Sequence, residues 1–374
     1  MQYTEYELGE LLPFEQPTAY IVKSTDYSDA YATPVLTAGK SFILGKTNET
    51  DGIFDQLPVI IFDDFTTATQ FVNFRFKVKS SAMKILHINT DLVIPKYIFY
   101  RLQIIQFDHS THKRYWIQSY SKIKVLIPSL DEQSRIVAHI EELFSELDKA
   151  VGTLKTTKEQ LEVYRQAVLV DAFRVATNST HLKIGYVCAK IVDCPHSTPK
   201  WEKNGKLCLR TTNFKRGYLD LQSPNYVSEE TFNDRNRRII PQPGDVLYSR
   251  EGSVLGIACT IPSNVYPCLG QRMMLLRSGE KLNNRYLMHY LNSPMVTNHV
   301  IATKGGTGSP HINVGDIKEF QIPIPSLEEQ SNIVRQIEEQ LSSCDNIEKT
   351  VDAILAQVDA MRQSILKQAF EGTL

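Results

Sequence analysis

Three features are missing from this sequence of 374 residues, and each absence excludes a class of protein. No apolar run approaches the roughly 18 residues that a membrane-spanning helix needs. The first residues are acidic and lack the basic-then-apolar order of a secretory signal peptide, so we expect a cytoplasmic protein that makes no membrane contact. The six cysteines form no CxxC pair, so we expect buried, reduced thiols and no metal site.

Catalytic motifs are also missing. The stretch Gly39-Lys40-Ser41 lacks the upstream glycine of a phosphate-binding loop, because Pro34 stands at that position. No Asn/Asp-Pro-Pro-Tyr/Phe run of the kind that amino-methyltransferases use is present, and no GxGxxG follows a predicted strand. The pair Asp63-Asp64 is better explained by a turn at a strand end than by a metal site. We therefore expect no catalytic residues and no enzymatic activity in this chain.

The charge is divided unevenly along the chain, although the net charge is only −1. Residues 182–310 carry 17 Lys/Arg and 9 Asp/Glu, and residues 1–127 carry 13 of each. Residues 128–174 carry 6 Lys/Arg and 9 Asp/Glu, and residues 325–374 carry 4 and 9. A local excess of basic residues indicates an anionic partner, and a chain total does not reveal it. Residues 182–310 are therefore the better candidate for nucleic-acid binding.

One segment occurs twice. Residues 128–173 and 325–370 match at about 20 of 46 positions without a gap. Each copy begins with a proline and a capping box, in which Ser129 precedes Glu132 and Ser326 precedes Glu329 by three residues. In a capping box the hydroxyl accepts from a free backbone N–H and the carboxylate accepts from the N–H of the cap residue. The pattern predicts that a helix begins at each copy.

Apolar residues recur every seven positions in both copies, which is the pattern of a coiled coil. The row contains Ile140, Leu147, Leu154, Leu161 and Val168 in the first copy, and Ile337, Cys344, Val351, Val358 and Ile365 in the second. Each copy predicts a helix of about 45 residues, which is about 65–70 Å long. The two helices are expected to pack on each other through these seams. The alternative is that each helix lies alone on its own globular domain.

The duplication extends beyond the helices. Residues 97–102 resemble residues 286–291, and both predict a short helix that precedes a strand and then the long helix. Both globular segments carry β-branched and aromatic runs that Asp, Gly, Ser and Thr interrupt, which is typical of strands. The predicted fold is therefore α+β, with the order globular unit, long helix, globular unit, long helix.

These repeated motifs resemble the DNA-specificity (S) subunits of type I restriction–modification enzymes. The resemblance lies in Pro-Ser-Leu-(Asp/Glu)-Glu-Gln at the start of each long helix, Arg-Gln-x-x-Leu-x-x-Ala-Phe at the end of each, and Phe-Glu-Gly-Thr-Leu at residues 370–374. Segments 36–45, 61–67, 243–252 and 305–313 also look like parts of the recognition domains of that family.

The resemblance implies a division into four parts. Residues 1–127 and 177–324 would be two β-rich target-recognition domains, and residues 128–176 and 325–374 two conserved helical regions. The long helices would form an antiparallel coiled coil within the chain. It would hold two different recognition domains about one DNA turn apart, or some 34 Å.

The resemblance also implies a set of partners. Double-stranded DNA with a bipartite, asymmetric site would bind the recognition domains. Two methyltransferase (M) subunits would dock on the helices, and restriction/translocase (R) subunits would join them. S-adenosylmethionine, ATP and Mg²⁺ would bind those partner subunits, and this chain would hold no cofactor.

Candidate DNA contacts follow from side-chain chemistry. Arg pairs with guanine, Asn and Gln with adenine, and Lys, Ser and Thr suit phosphate, while the glycine-rich residues 304–313 allow backbone N–H groups to approach phosphate. The candidates in the second globular segment are His196, Lys200, Arg210, Thr212, Asn213, Lys215, Arg216, Arg250, Gln271, Arg272, Lys304, Ser309 and His311. The candidates in the first are Lys40, Ser41, Lys46, Thr66, Thr67, Thr69, Lys113 and Arg114. Each of them could instead be an ordinary surface or turn residue.

Two other hypotheses remain open. The chain could be a coiled-coil scaffold that carries two β-rich protein-binding domains and has no DNA role, although the basic charge of residues 182–310 argues against this. It could also serve a fused system in which methylation and cleavage share one partner polypeptide. DNA binding separates the first alternative from the main hypothesis, and gene neighbours separate the second.

Overall fold

The computed structural model of the protein describes residues 3–37, 41–107, 114–176, 179–252, 254–303 and 310–373. The chain divides into two compact units, of which the first contains Met1–Leu154 with Ala353–Leu374 and the second contains Lys155–Asp352. The two long helices, α4 (Leu130–Val175) and α10 (Leu327–Glu371), each contribute to both units. The boundaries between the two compact units therefore lie inside the long helices. The division into two recognition domains and two helical regions stays a prediction.

The first unit contains short strands, short helices and the first part of α4. Its strands are β1 (Thr4–Glu7), β2 (Phe14–Glu15), β3 (Thr33–Leu36), β4 (Ile43–Thr47), β5 (Val59–Asp63), β6 (Thr69–Val72), β7 (Lys77–Val78), β8 (Met83–His87) and β9 (Lys124–Ile127). Its short helices are α1 (Leu8–Leu11), α2 (Pro95–Leu102) and α3 (Tyr115–Gln118). The strands form an antiparallel sheet of order β2-β8-β5-β6, a sheet of order β4-β3-β7 in which β3 and β7 are parallel, and the pair β1-β9.

Strand β5 lies at the centre of the core of this unit. All five of its residues are buried. Because side chains alternate between the two faces of a strand, Ile60 and Phe62 pack in one hydrophobic cluster with Trp116, whereas Val59 and Ile61 pack in another. A continuous apolar run in the sequence therefore marks a strand that is covered on both faces.

The second unit repeats this plan. Its strands are β10 (His181–Lys183), β11 (Cys188–Asp193), β12 (Lys206–Leu209), β13 (Phe214–Lys215), β14 (Tyr218–Leu219), β15 (Tyr226–Val227), β16 (Val246–Ser249), β17 (Ala258–Thr260), β18 (Cys268–Leu269), β19 (Met273–Ser278) and β20 (Gln321–Pro323). Its short helices are α5 (Ile184–Val187), α6 (Glu229–Arg235), α7 (Asn284–Asn292), α8 (Pro294–Thr303) and α9 (Val314–Glu319).

The sheets of the two units correspond strand by strand. The order β11-β19-β16-β17 matches β2-β8-β5-β6, and β15-β12-β18, with β12 and β18 parallel, matches β4-β3-β7. The pair β10-β20 matches β1-β9. The hairpin β13-β14 is an addition, because the described residues of the first unit contain no counterpart. The shared plan that the sequence predicts is therefore present.

The long helices pack against each other in antiparallel orientation. In the first unit, Ile140 shares a hydrophobic cluster with Leu366 and Ala369, and the guanidinium of Arg362 donates to Asp148. In the second unit, Lys158 Nζ lies 2.7 Å from Asp352 Oδ1. Rising residue numbers in α4 thus meet falling numbers in α10, and the predicted coiled coil is confirmed. The alternative, in which each helix lies alone on its domain, is wrong.

The predicted seam faces inward along both helices. Ile140, Leu161, Val168, Ile337, Cys344 and Val351 are buried, and Leu147, Leu154, Val358 and Ile365 are partly buried. Every residue of the row is thus covered to some degree, although solvent reaches several of them. A pair of helices covers its a and d residues from one side only, so partial exposure of this row is expected of a two-helix coiled coil.

Both predicted helix starts are capped. In the second copy, the Glu329 backbone N–H donates to Ser326 Oγ at 3.2 Å, and the Ser326 N–H donates to Glu329 Oε2 at 2.9 Å. In the first copy, the Glu132 N–H donates to Ser129 Oγ at 3.4 Å, while the Glu132 carboxylate lies 3.5 Å from Arg135. The carboxylate half of the capping box is therefore formed in the second copy only, among the hydrogen bonds of the described residues.

Two further expectations concern the chain in general. All six cysteines are free thiols, and five of them are buried. Among the described helices, none combines the length and the apolar character that a membrane span requires.

Candidate nucleic-acid interface

Five of the predicted contacts in the second unit lie together where several strands end. We call His196, Arg250, Gln271, Arg272 and His311 the strand-end cluster. Backbone contacts bring it together: the Arg250 N–H donates to the Arg272 carbonyl at 3.1 Å, and Glu251 and His311 form an antiparallel bridge. The hydroxyl of Thr198 donates to Gln271 Oε1 at 3.1 Å. The sequence places these residues in four separate segments; the sheet order β11-β19-β16 joins three of them, and the bridge to Glu251 adds His311.

Arg250 is the fixed member of the strand-end cluster. Its Nε and Nη2 donate to the two carboxylate oxygens of Asp193 at 2.8 and 3.0 Å, and only 9% of its side chain is exposed. Asp193 Oδ2 also lies 3.1 Å from His196 Nε2. A two-point ion pair of this kind holds both planar groups in one orientation. Arg250 therefore supports the cluster, and its guanidinium is already engaged.

Arg272, His196 and His311 carry the exposed side chains of the strand-end cluster. Nearly half of the Arg272 side chain is exposed (48%), and its Nε is 3.9 Å from Glu251 Oε1. Arg210 follows β12, and the Gly270 N–H donates to the carbonyl of Leu209 at 2.9 Å, which places Arg210 beside this edge. The Arg210 guanidinium lies over the ring of Trp201 at 5.4 Å. The edge thus presents several cationic or titratable groups to solvent.

Asn213 has a structural role in the turn Thr211–Asn213. It is buried, its Oδ1 accepts from the Arg210 N–H at 2.8 Å, and its Nδ2 donates to the Asp220 carbonyl at 3.0 Å. Thr212 and Lys200 are exposed. Asn213 therefore shapes the loop, while its neighbours face solvent.

Lys215 and Arg216 lie apart from the strand-end cluster. They belong to the hairpin β13-β14, and Arg216 Nη1 donates to the carbonyl of Asn292 at the end of α7 at 3.1 Å. Both line a cleft of about 480 Å³ in which residues of α4, α7 and α10 also lie, including Arg165 and Glu338. These two cations therefore face the helical part of the unit.

The candidates in the first unit differ in exposure. Thr69 is buried and accepts a hydrogen bond from Gln103, whereas Ser41 and Arg114 are exposed. Thr66 is exposed and donates from Oγ1 to Asp63 Oδ2 at 2.7 Å. The remaining candidates in this unit are Lys46 and Thr67, which are half-buried, and Lys40 and Lys113, which lie outside the described residues, as do Lys304 and Ser309 of the second globular segment.

The pair Asp63-Asp64 forms a turn at the end of β5, as the sequence predicts. Asp63 Oδ1 accepts from the N–H of Phe65 at 2.9 Å. Asp64 is buried and lies 3.2 Å from Lys84 Nζ, which is also buried, and its Oδ1 accepts from the Trp116 N–H at 2.9 Å. Within the described ranges, no group of three or more His, Cys, Asp or Glu side chains lies in an arrangement that could hold a metal ion.

Two glutamines that are not among the candidate residues join the long helices to the globular parts. Gln133 donates to the carbonyls of Leu92 and Pro128 and accepts from the Ile94 N–H. Gln330 does the same with Lys281, Pro325 and the Asn283 N–H, at 2.8 to 2.9 Å. Both side chains are fully buried. Each is the Gln of the repeated Pro-Ser-Leu-x-Glu-Gln motif, so the repeat itself was the available signal.

A charged pair between the helices is also repeated. Arg165 Nη1 donates to Asp345 Oδ1 at 2.6 Å and Nη2 to Glu348 Oε2 at 2.9 Å, and Arg362 pairs with Asp148 in the same relation. The hydrogen bond to Asp352 raises the pKa of Lys158 in the same helix interface. Each pair lies inside one unit. The duplicated sequence therefore produces equivalent helical surfaces.

The sequence is similar to that of a known protein family. The family described as type I restriction modification DNA specificity domain matches residues 190–357. The Escherichia coli type I restriction enzyme EcoR124I/EcoR124II specificity subunit is 32% identical over 368 residues, which cover 95% of this chain and 90% of that protein.

Two solved structures have a similar fold. The HsdS subunit from Thermoanaerobacter tengcongensis has a TM-score of 0.58 at 20% identity, and the match covers 100% of this chain and 97% of that chain. A chain from a structure on complex assembly and conformational transition of the type I R-M system has a TM-score of 0.67 at 20% identity, and the match covers 100% and 98%.

Proposed function

The chain belongs to the family of type I restriction enzyme specificity subunits, and on that premise we propose that it recognises a bipartite, asymmetric DNA site through two recognition domains. Each globular part would read one half of the site. The chain would have no catalytic activity of its own. It would act in the cytoplasm, where it would direct the partner subunits that methylate or cleave DNA.

The observation that carries this proposal is a shared plan with different side chains at corresponding strand ends. The Ile312 N–H donates to the Arg250 carbonyl at 2.9 Å, and the Tyr115 N–H donates to the Asp64 carbonyl at 3.0 Å. Arg250 therefore corresponds to Asp64, and His311 corresponds to Arg114. Two domains of one architecture that carry different side chains at these corresponding positions are suited to two different half-sequences.

The exposed candidates are the proposed DNA contacts. In the second unit they are His196, Lys200, Arg210, Thr212, Arg272 and His311, with the half-buried Gln271 beside them, and in the first they are Ser41, Thr66 and Arg114. The exposed Lys215 and Arg216 lie on the helical side of their unit. Arg250, Asn213 and Thr69 would support the surfaces from inside, because their polar groups are engaged within the protein. The remaining candidates stay predicted DNA contacts; they are Lys40, Lys46, Thr67, Lys113, Lys304 and Ser309.

The helices are the proposed docking surfaces for the other subunits. The duplicated pairs Arg165–Asp345 and Arg362–Asp148 support two equivalent surfaces, which suit two copies of one partner. We assign these surfaces to two methyltransferase subunits, which would bind S-adenosylmethionine. Restriction subunits, which would bind ATP and Mg²⁺, would join through them. Lys215 and Arg216 line the cleft beside the helices of their unit. They would contact a subunit that docks on this side.

The test is a map of methylated adenines in cells that contain the partner methyltransferase with or without this chain. We expect methylation at one split sequence only when the chain is present. Replacement of residues 182–310 by the corresponding segment of another family member should change one half of that sequence and leave the other half intact. The proposal is wrong if the replacement changes both halves, or if the chain directs no methylation. The scaffold alternative predicts the latter result.

A further inference from the structure

We propose that Arg272 reads a guanine in the half-site that the second recognition domain binds, and that the Arg250–Asp193 pair positions it. This inference rests on the proposed function and gives one residue of the strand-end cluster a chemical role. It separates a residue that contacts a base from a residue that holds the contact in place. The sequence alone does not distinguish the two arginines, because both follow strand-like runs.

The backbone at Arg272 is the first observation. Its φ is +70°, in the left-handed region that glycine adopts without strain and that a residue with a long side chain rarely adopts. Gly270 lies only two residues earlier, so the turn between β18 and β19 already contains a glycine. At position 272 the chain therefore carries an arginine where the backbone alone would favour glycine. Local strain of this kind is found where the side chain or loop geometry serves function.

The surroundings fix this strained backbone. The carbonyl of Arg272 accepts from the Arg250 N–H at 3.1 Å, and the carbonyl of the next residue, Met273, accepts from the Cys194 N–H at 3.2 Å. The Met273 N–H donates to Cys194 Sγ at 3.3 Å. Arg250 is in turn clamped by both oxygens of Asp193. The base of the Arg272 side chain is thus held by two neighbouring strands.

The guanidinium itself is available. The nearest acidic group is Glu251, at 3.9 Å from Nε and therefore at the limit of an ion pair, and such exposed pairs contribute little to stability. Gln271 is engaged with Thr198, and Arg250 with Asp193. Arg272 is therefore the arginine of the strand-end cluster whose guanidinium group, a planar fork of N–H donors, can turn toward DNA.

The chemistry of the fork selects the base. Two parallel N–H groups of a guanidinium match O6 and N7 of guanine in the major groove, and no other base pair offers two acceptors there on one base. A lysine keeps the charge and can still contact phosphate, but it lacks the planar fork. A residue that serves only the phosphates would tolerate lysine, whereas a guanine reader would not.

The experiment uses the full chain with its partner methyltransferase in cells, and maps methylated adenines for three variants. Arg272→Lys removes the fork and keeps the charge. Arg272→Gly removes the side chain and keeps the backbone conformation. Arg237→Ala is the control, because Arg237 is a mostly exposed cation (79%) of the same basic unit and pairs with Asp234 only three residues away. The melting temperature of each purified variant is measured in parallel.

We expect both Arg272 variants to accept other bases at one guanine position in one half of the site, with a roughly ten- to hundred-fold loss of discrimination there. The other half should not change, and Arg272→Gly should melt at or above the wild-type temperature. Arg237→Ala should leave the recognised sequence intact. A structural role would instead lower the melting temperature and leave every base preference unchanged.

The inference is overturned if Arg272→Lys recognises the wild-type sequence, if the relaxed position is not a guanine, or if that half contains no guanine. In these cases the wild-type chain still directs methylation to a split site, and the proposed function stands. Failure of the wild-type chain to direct methylation at all would overturn both.

Discussion

At the scale of single residues, the two repeats use equivalent positions for different purposes. Asp64 is a buried anion beside Lys84, whereas Arg250 at the corresponding strand end is a cation held by Asp193. In contrast, Gln133 and Gln330 make the same hydrogen bonds in both repeats. Side chains that join the helices to the domains are thus kept, and side chains at the candidate DNA-binding edges differ.

The carboxylate of Glu329 gives a prediction about pH. Hydrogen bonds from the backbone N–H and the hydroxyl of Ser326 hold its pKa below the ordinary value of 4.5. Its contribution to stability is therefore complete above about pH 4.5 and is lost as the pH falls through the lowered value. We expect Glu329→Ala to lower the melting temperature at pH 7, and the difference from wild type to shrink below about pH 4.

Circular dichroism melting curves between pH 3 and pH 7 measure this difference. Glu328→Ala is the matched control, because Glu328 is exposed in the same first turn and shares the helix dipole without the cap hydrogen bonds. The cap does not act as described if the two variants show the same loss at pH 7.

At the scale of elements, the sequence predicted what depends on local patterns. The seven-residue spacing predicted α4 and α10, the capping boxes predicted their starts, and the β-branched and aromatic runs predicted strands in both globular parts. The strand-end cluster was not predictable as a cluster, because its members come from loops that only the sheet order brings together. The role of Arg250 was missed for the same reason, since its partner Asp193 is 57 residues away.

The joint between each long helix and its globular part gives a prediction at this scale. Gln330→Ala would leave the Asn283 N–H and the carbonyls of Lys281 and Pro325 without their partner in a fully buried site. Because unsatisfied buried polar groups are unfavourable, we expect a loss of about 2–3 kcal/mol in the free energy of unfolding. Gln133→Ala should give a similar loss.

Urea unfolding followed by circular dichroism measures both values. Gln340→Ala, at an exposed position of the same helix, is the control and should change the free energy of unfolding by less than about 0.5 kcal/mol. If the buried and the exposed glutamine gave equal effects, the joint would not depend on these hydrogen bonds.

At the scale of the whole molecule, the chain combines one duplicated helix with two globular parts of shared plan and different side chains. The helices contain 46 and 45 residues, so each is about 65–70 Å long. In the account proposed here, the helix pair sets the distance between the two half-sites, and the domains set the bases within each half. The distance between the half-sites and the bases read within each half are then separate properties, and one can be changed without the other.

The most direct test of this separation is the insertion of one heptad into both long helices, after Leu154 in α4 and after Asp352 in α10, where the two units divide. Seven residues add about 10 Å to a helix, which is about three base pairs of DNA. A heptad inserted into only one helix is the control, and it should abolish directed methylation because the seams no longer match.

The measurement is a map of methylated adenines for the chain with both insertions and its partner methyltransferase. We predict that both half-sequences stay the same while the gap between them lengthens by about three base pairs. An unchanged gap, or a change in either half-sequence, would contradict the role of the helix pair as the spacer.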